Sequence, residues 1–593
     1  MLSLLKVLNN NKSIFLCLII GSLFTAHRYN IPWEWPLIDF FTSIERLIDK
    51  NYLENDFTTN TFNEYSARYF ISYYYYYFSE LLNIDYTVFI KWNNIFRIFL
   101  SIFISFFLFY GFFRNKYLAL ISFTLVSLSF FGSYSGFSKP IPITPGWSFI
   151  SSLADAHGIA IFFFIISWAF LFNNKINFSI LFLAPAMLVH PIVAINLLPI
   201  NFIISIIFFK QKRISFNYIS ILFFILLLTC FLLNYIPYQR SIIGYENLSD
   251  NLFIKILAHF RHPWHYLPSK MSINEWIDFS FYLFFYIFLL IHFKDVKEKI
   301  IFHYFIYYFL FIIVIGYLFT EIYPIKFIIS LSLYRSLIFF NILFIALYSH
   351  YTYINFVNKN YLIFFISLIP FTKVINIYIV EIFFSNSAVY NNYLSYLALV
   401  LLFIIKFINL KFYYFNNFAS KIINFLKLEN HLLIFFFLLY SLFFYKFSIE
   451  DNNYSFSLYE IPTINNQHYV YQWIANNTDV DDIIISERSI ERGFNQKIRL
   501  ISRRAIVVDF EFPFLEKYYL EWYNRFKDIY QEPMLADGNI DSLSNDEIYN
   551  LSKKYFAYKI IRSKPLNKEY RFKLIEILKY KPDLNIYLYS VEK

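Results

Sequence analysis

The chain has 593 residues, of which 58% are hydrophobic and only 16% charged, and its mean hydropathy is +0.48. A soluble protein carries about a quarter charged residues, so this composition excludes an ordinary soluble enzyme. The net charge of +10 would suggest nucleic acid in a soluble protein, but loop charges that orient membrane helices account for it here, and no nucleic-acid partner is expected.

The apolar residues gather in runs of about 17–24, the length that crosses a hydrocarbon core of about 30 Å. Spans are predicted near 11–27, 94–113, 116–133, 154–172, 177–190, 192–209, 216–235, 277–293, 300–320, 326–349, 361–383, 391–409 and 431–447. The first follows Lys6 and Lys12 and resembles a signal peptide, but no small-x-small cleavage site follows it, so it reads as a retained helix. Pro185, Pro191 and Pro199 break the pair 177–209, which fits either two thin spans or a re-entrant hairpin. The stretch Ala67–Leu82, with five tyrosines in a row, reads as interfacial rather than spanning. Cys17 and Cys230 lie inside apolar runs and support neither a disulfide framework nor a metal site.

Short basic connectors fall on alternate sides. Lys6 and Lys12, Arg114 and Lys116, Lys175, Lys210 to Arg213, Lys294 to Lys299, Lys359, and Lys411 to Lys427 all lie on one side. The positive-inside rule makes that side cytoplasmic. The long loop 28–93, the segments 134–153 and 236–276, and everything after about 448 then share the outer face. The expected organisation is a multi-pass transmembrane domain over 1–447 and an outer soluble α/β domain over 448–593. The outer domain alternates predicted strands (482–486, 505–510, 558–562, 585–591) with helices (469–476, 514–530, 545–554, 568–578). It has no Gly-rich phosphate loop, no Cys/His cluster and no Gly-x-Ser-x-Gly turn.

Three groups of residues carry candidate chemistry. In the first outer loop Glu54 and Asp56 form a Glu-x-Asp pair. A carboxylate there can take the proton of an attacking hydroxyl or hold a divalent cation, Mg or Mn, against a phosphate. Its plain alternative is a solvated acidic loop. In the loop before the eighth span, Arg261, His262, Trp264 and His265 lie within five positions. Arg and His suit a phosphate and Trp suits a ring, while the plain alternative is an interfacial anchor. His157, His190 and Arg335 fall within or beside spans, where ionisable groups are costly unless paired or wetted.

A cytoplasmic N-terminus, a carboxylate-bearing loop after the first helix, many spans and an outer C-terminal domain together resemble the membrane glycosyltransferases of fold type C. The fold expected is therefore a polytopic α-helical membrane protein of about 11–13 transmembrane helices with a C-terminal α/β soluble domain. Locally the chain also resembles an uncharacterised bacterial multi-pass family related to that fold. The matching stretches are Tyr52–Phe57, Leu188–Pro191, Phe260–Ser269, Tyr334–Ser336, Trp473–Thr478 and Val507–Phe510. The resemblance implies sugar transfer from a polyprenyl-phosphate donor to an acceptor outside the bacterial cytoplasmic membrane. Asp56, with Glu54 behind it, would be general base or metal ligand. Arg261, His262, His265, Arg335, His157 and His190 would bind the lipid phosphate. A non-catalytic membrane scaffold and a transporter or flippase of lipid-linked cargo are the competing readings.

Overall fold

The computed structural model describes residues 12–28, 38–64, 69–129, 156–242, 248–293, 299–368, 393–408, 412–425 and 467–592, apart from 262, 271–272, 335–336, 338–339, 491–492, 510, 514, 532–539, 541, 567–570 and 582. It is mostly helical, with a small C-terminal sheet domain. Four of the described helices are long and apolar enough to cross a membrane: Tyr86–Phe113, Pro191–Lys210, Tyr218–Ile236 and Lys299–Ile322. Shorter apolar helices accompany them, among them Lys116–Val126, Ala156–Phe172 and Ile176–Val189.

The longest helix, Tyr86–Phe113, begins eight residues earlier than the sequence suggests. Asp85 explains the start, because its side chain accepts from the Thr87 amide at 2.8 Å and so caps the first turn. At 1.5 Å per residue this helix is about 42 Å long, so its ends extend beyond a bilayer core. Arg114 ends it in the left-handed conformation, φ 53°. A side chain at Gly111 would collide with Phe172, so the absence of one lets this helix press against Ala156–Phe172. The pair over 177–209 resolves into two helices, Ile176–Val189 and Pro191–Lys210, joined through His190 alone. The first spans about 21 Å at 1.5 Å per residue, so it is thin, while the second is long enough to cross.

One predicted span is corrected. The stretch 326–349 is not a single helix. Lys326–Leu331 stops at Ser332, whose φ of 47° cannot continue a right-handed helix, and a new helix runs Phe340–Val357. Arg335 falls between the two and lies outside the described residues, as do most of the span 361–383 and all of 431–447.

The C-terminal domain holds a five-stranded sheet in the order β2-β1-β3-β5-β4. The strands are β1 Ile483–Ser486, β2 Ala505–Ile506, β3 Lys559–Arg562, β4 Phe572–Lys581 and β5 Leu584–Val591. β1 pairs parallel with β2 and β3, while β5 pairs antiparallel with β3 and β4. Successive residues of β1 enter different cores. Ile484 packs with Val470, Ile474, Phe494 and Ile498, and Ile485 packs with Trp522, Phe526 and Ile548. The predicted helix over 568–578 is wrong, because Phe572–Lys581 is a strand. Its apolar spacing mimics a helix because bulges after Leu574 and Lys579 break strict alternation.

Candidate functional site

Tyr52–Asn60 lies against the C-terminal domain. Asp56 caps the short helix Phe57–Asn60, with its Oδ1 accepting from the Thr59 amide (2.7 Å) and the Thr59 hydroxyl (2.8 Å). The same Oδ1 takes a hydrogen bond from Nη2 of Arg499 at 2.8 Å. Its other oxygen accepts from the Ile506 amide at 3.2 Å, along the edge of β2. Asp56 and Arg499 are both 0% exposed.

Arg499 also donates to Glu511, and its Nη1 is 3.7 Å from Asp509 Oδ2. Three buried carboxylates from two distant segments therefore share one guanidinium. Burial alone would lower the Arg499 pKa, but Asp56, Glu511 and Asp509 outweigh it and hold the group firmly protonated. Tyr52 donates its hydroxyl to the Arg499 carbonyl at 2.7 Å. Burial pushes that phenol well above its ordinary pKa, with Arg499 pulling the other way. Thr42 donates to Glu511 at 3.3 Å.

Further contacts extend the joint. Arg503 pairs with Glu45 at 2.8 Å and stacks over Tyr52, and Arg525 lies over the Phe57 ring at 4.6 Å. Lys517 pairs with Glu64. From the segment before the eighth predicted span, Arg261 stacks on Phe512 at 3.8 Å, and Phe260 packs edge-on against Trp522, Tyr523 and Phe526. Lys326 pairs with Glu516 at 2.6 Å.

The predicted site residues are thus distributed. Glu54 and Asp56 are not brought together: Glu54 is exposed and Asp56 is sealed. Among the described residues no group of three or more His, Cys, Asp and Glu is placed to hold a metal. A cation on Asp56 would have to displace Arg499. Arg261 contacts the C-terminal domain through an aromatic ring. His262 lies outside the described residues, and so does the side chain of His265.

His157 and His190 do meet, with ring centroids 5.6 Å apart and rings edge to face. Both are buried at helix starts, His157 in Ala156–Phe172 and His190 as the cap of Pro191–Lys210, where its Nδ1 accepts from the Val193 amide at 3.4 Å. Beside them is Arg97, buried in the helix Tyr86–Phe113, which donates to the Gly158 carbonyl (3.0 Å) and to Asn94 (2.6 Å). The flanking Ala156, Ile159 and Val189 pack in one cluster with Phe41, Ile71 and Tyr75 and with Leu500 of the C-terminal domain.

Sequence reasoning missed Arg97, Arg499, Asp509 and Glu511. Arg97 carried a usable signal, because it falls inside the predicted span 94–113, where an ionisable group marks a functional position. For Arg499 the signal is weaker: a cation between Ile498 and Leu500, in a stretch where Lys497, Arg503 and Arg504 are cations as well. Residues 467–529, which include Arg499, Asp509 and Glu511, match the family model of a domain of unknown function, DUF6798. No curated protein matches the chain.

Proposed function

We propose that the chain is a glycosyltransferase of fold type C in the bacterial cytoplasmic membrane. About a dozen helices would cross the bilayer, with the N-terminus inside and the first loop and C-terminal domain outside. It would take a sugar from a polyprenyl-phosphate donor. The bond from the sugar C1 to the phosphate oxygen breaks, a bond from C1 to an acceptor oxygen forms, and the acceptor's proton passes to a base. The observation that carries this reading is the pairing of His157 with His190 beside Arg97, at helix starts that pack against the first loop and the outer domain. Two imidazoles and a guanidinium in that position suit the phosphate of a lipid whose tail stays in the bilayer. The role that the resemblance gives Asp56, as base or Mg or Mn ligand, requires its pair with Arg499 to open.

The test is sugar transfer in membranes containing the chain, with a panel of polyprenyl-phosphate sugars and release of polyprenyl phosphate as the readout. His190→Gln and Arg97→Gln should each lower transfer by about 10²-fold or more with little change in melting temperature. Absence of transfer by the wild-type chain across the panel would sink the reading.

A second reading has its own support. Both Asp56 oxygens are filled by protein donors, as a structural joint requires. In that case the chain is a non-catalytic membrane scaffold. Asp56→Asn would then change stability alone, and the His190 and Arg97 variants would bind the same partners as the wild type.

A further inference from the structure

The helix Asn545–Lys554 ends in a Schellman turn: the Ala557 amide donates to the Ser552 carbonyl at 2.8 Å and the Phe556 amide to the Lys553 carbonyl. The residue after the cap in such a turn takes a left-handed conformation and is usually glycine. Here it is Phe556, at φ 54°. Ten described non-glycine residues have positive φ, and eight of them are polar. The two apolar exceptions differ. Leu53 is 7% exposed, so packing offsets its strain, whereas the Phe556 ring is 70% exposed and gains no such packing.

The surroundings of Phe556 define what would cover it. Lys527, Lys553 and Lys554 are all exposed, and Asp528 is the acid among them, paired with Lys554 at 2.6 Å. Tyr555 points inward and is buried, so the chain directs one ring into the core and the next one out. Arg525 lies between the Tyr555 ring and the Phe57 ring of the first loop, which places the patch on the side of the domain that the loop shares. An exposed aromatic ring next in the chain to exposed lysines is chemistry that suits an anionic headgroup layer.

We propose that Phe556, with Lys527, Lys553 and Lys554, seats the outer domain on the anionic surface of the bilayer that holds the chain's helices. The inference rests on the membrane reading of those helices. It is independent of sugar transfer.

The test uses the full chain in detergent and in single-copy nanodiscs of phosphatidylcholine or phosphatidylglycerol, which exclude self-association. The rate of acetylation of Lys553 and Lys554 is followed by mass spectrometry, with exposed Lys573 on β4 as the reference. In phosphatidylglycerol the two lysines should react at least about threefold more slowly than in detergent, and Lys573 should not change. Phe556→Gly should restore the detergent rate without lowering the melting temperature, because glycine suits the left-handed turn. Equal rates in all three settings would overturn the proposal. Equal slowing in both lipids would overturn the anionic assignment. If alkaline carbonate strips the chain from membranes without detergent, the membrane reading itself has failed.

Discussion

Arg499 and Arg97 are both buried guanidinium groups, but they are satisfied in different ways. Arg499 gathers Asp56, Asp509 and Glu511, and one of these comes from a segment more than 400 positions away. Arg97 donates to a carbonyl and an amide on its own and the adjoining helix. The first arrangement joins two parts of the chain, since the buried Asp56 carboxylate meets its cation only across the joint. The second holds a cation from the middle of one helix against the first turn of another. Buried charge therefore marks a joint in one region and a candidate binding position in the other.

That contrast breaks or sharpens under substitution. Arg499→Ala leaves three buried carboxylates without their shared cation and should cost about 3–5 kcal/mol. A melting curve of the full chain in detergent, with proteolysis across residues 50–60, reads it. If Arg97→Ala costs as much, the distinction between the two sites fails. Asp56→Asn keeps an acceptor for the Thr59 amide but loses the ion pair, so about 1–3 kcal/mol should be lost on the same curve. Arg261→Ala removes a guanidinium from the Phe512 ring and should cost about 1 kcal/mol. Arg503→Ala, which breaks an exposed pair with Glu45, should cost less than about 1 kcal/mol and lose even that in high salt.

The smallest effect expected near neutral pH is on titration. Burial raises the pKa of Tyr52 and Tyr530 in the folded chain, so the fold holds the neutral phenols. Stability from them is fully present below the unfolded pKa of about 10 and is lost as pH rises above it. The melting temperature should stay level from about pH 7 to 9 and fall beyond about 10. A curve that falls between pH 7 and 9 instead would place the controlling group elsewhere.

Much of the fold was legible because its signals are local. The Pro191 break, the strand Ile483–Ser486 and the helix Asn545–Lys554 all follow from periodicity and capping residues next to them. The strand over Phe572–Lys581 was not legible, because its bulges shift the apolar residues onto a helical spacing and its pairing partner decides the outcome. The candidate site divides in the same way. His157 and His190 stood out as polar groups at apolar runs, and the structure brings them together. Asp56 stood out by its neighbours in sequence, but its setting depends on Arg499, and spacing carries no information about a contact at that range.

That range also has a consequence in time. Asp56 and Arg499 are 443 positions apart. At about 5–20 residues per second, synthesis reaches the arginine roughly 20–90 seconds after the aspartate. Through that interval the loop has neither its cation nor the edge of β2 that its carboxylate later covers. The newly made segment around Tyr52–Asn60 must wait, folded only by its own short turns, until the last quarter of the chain has been made. A ribosome stalled before residue 499 would hold the loop in that waiting form.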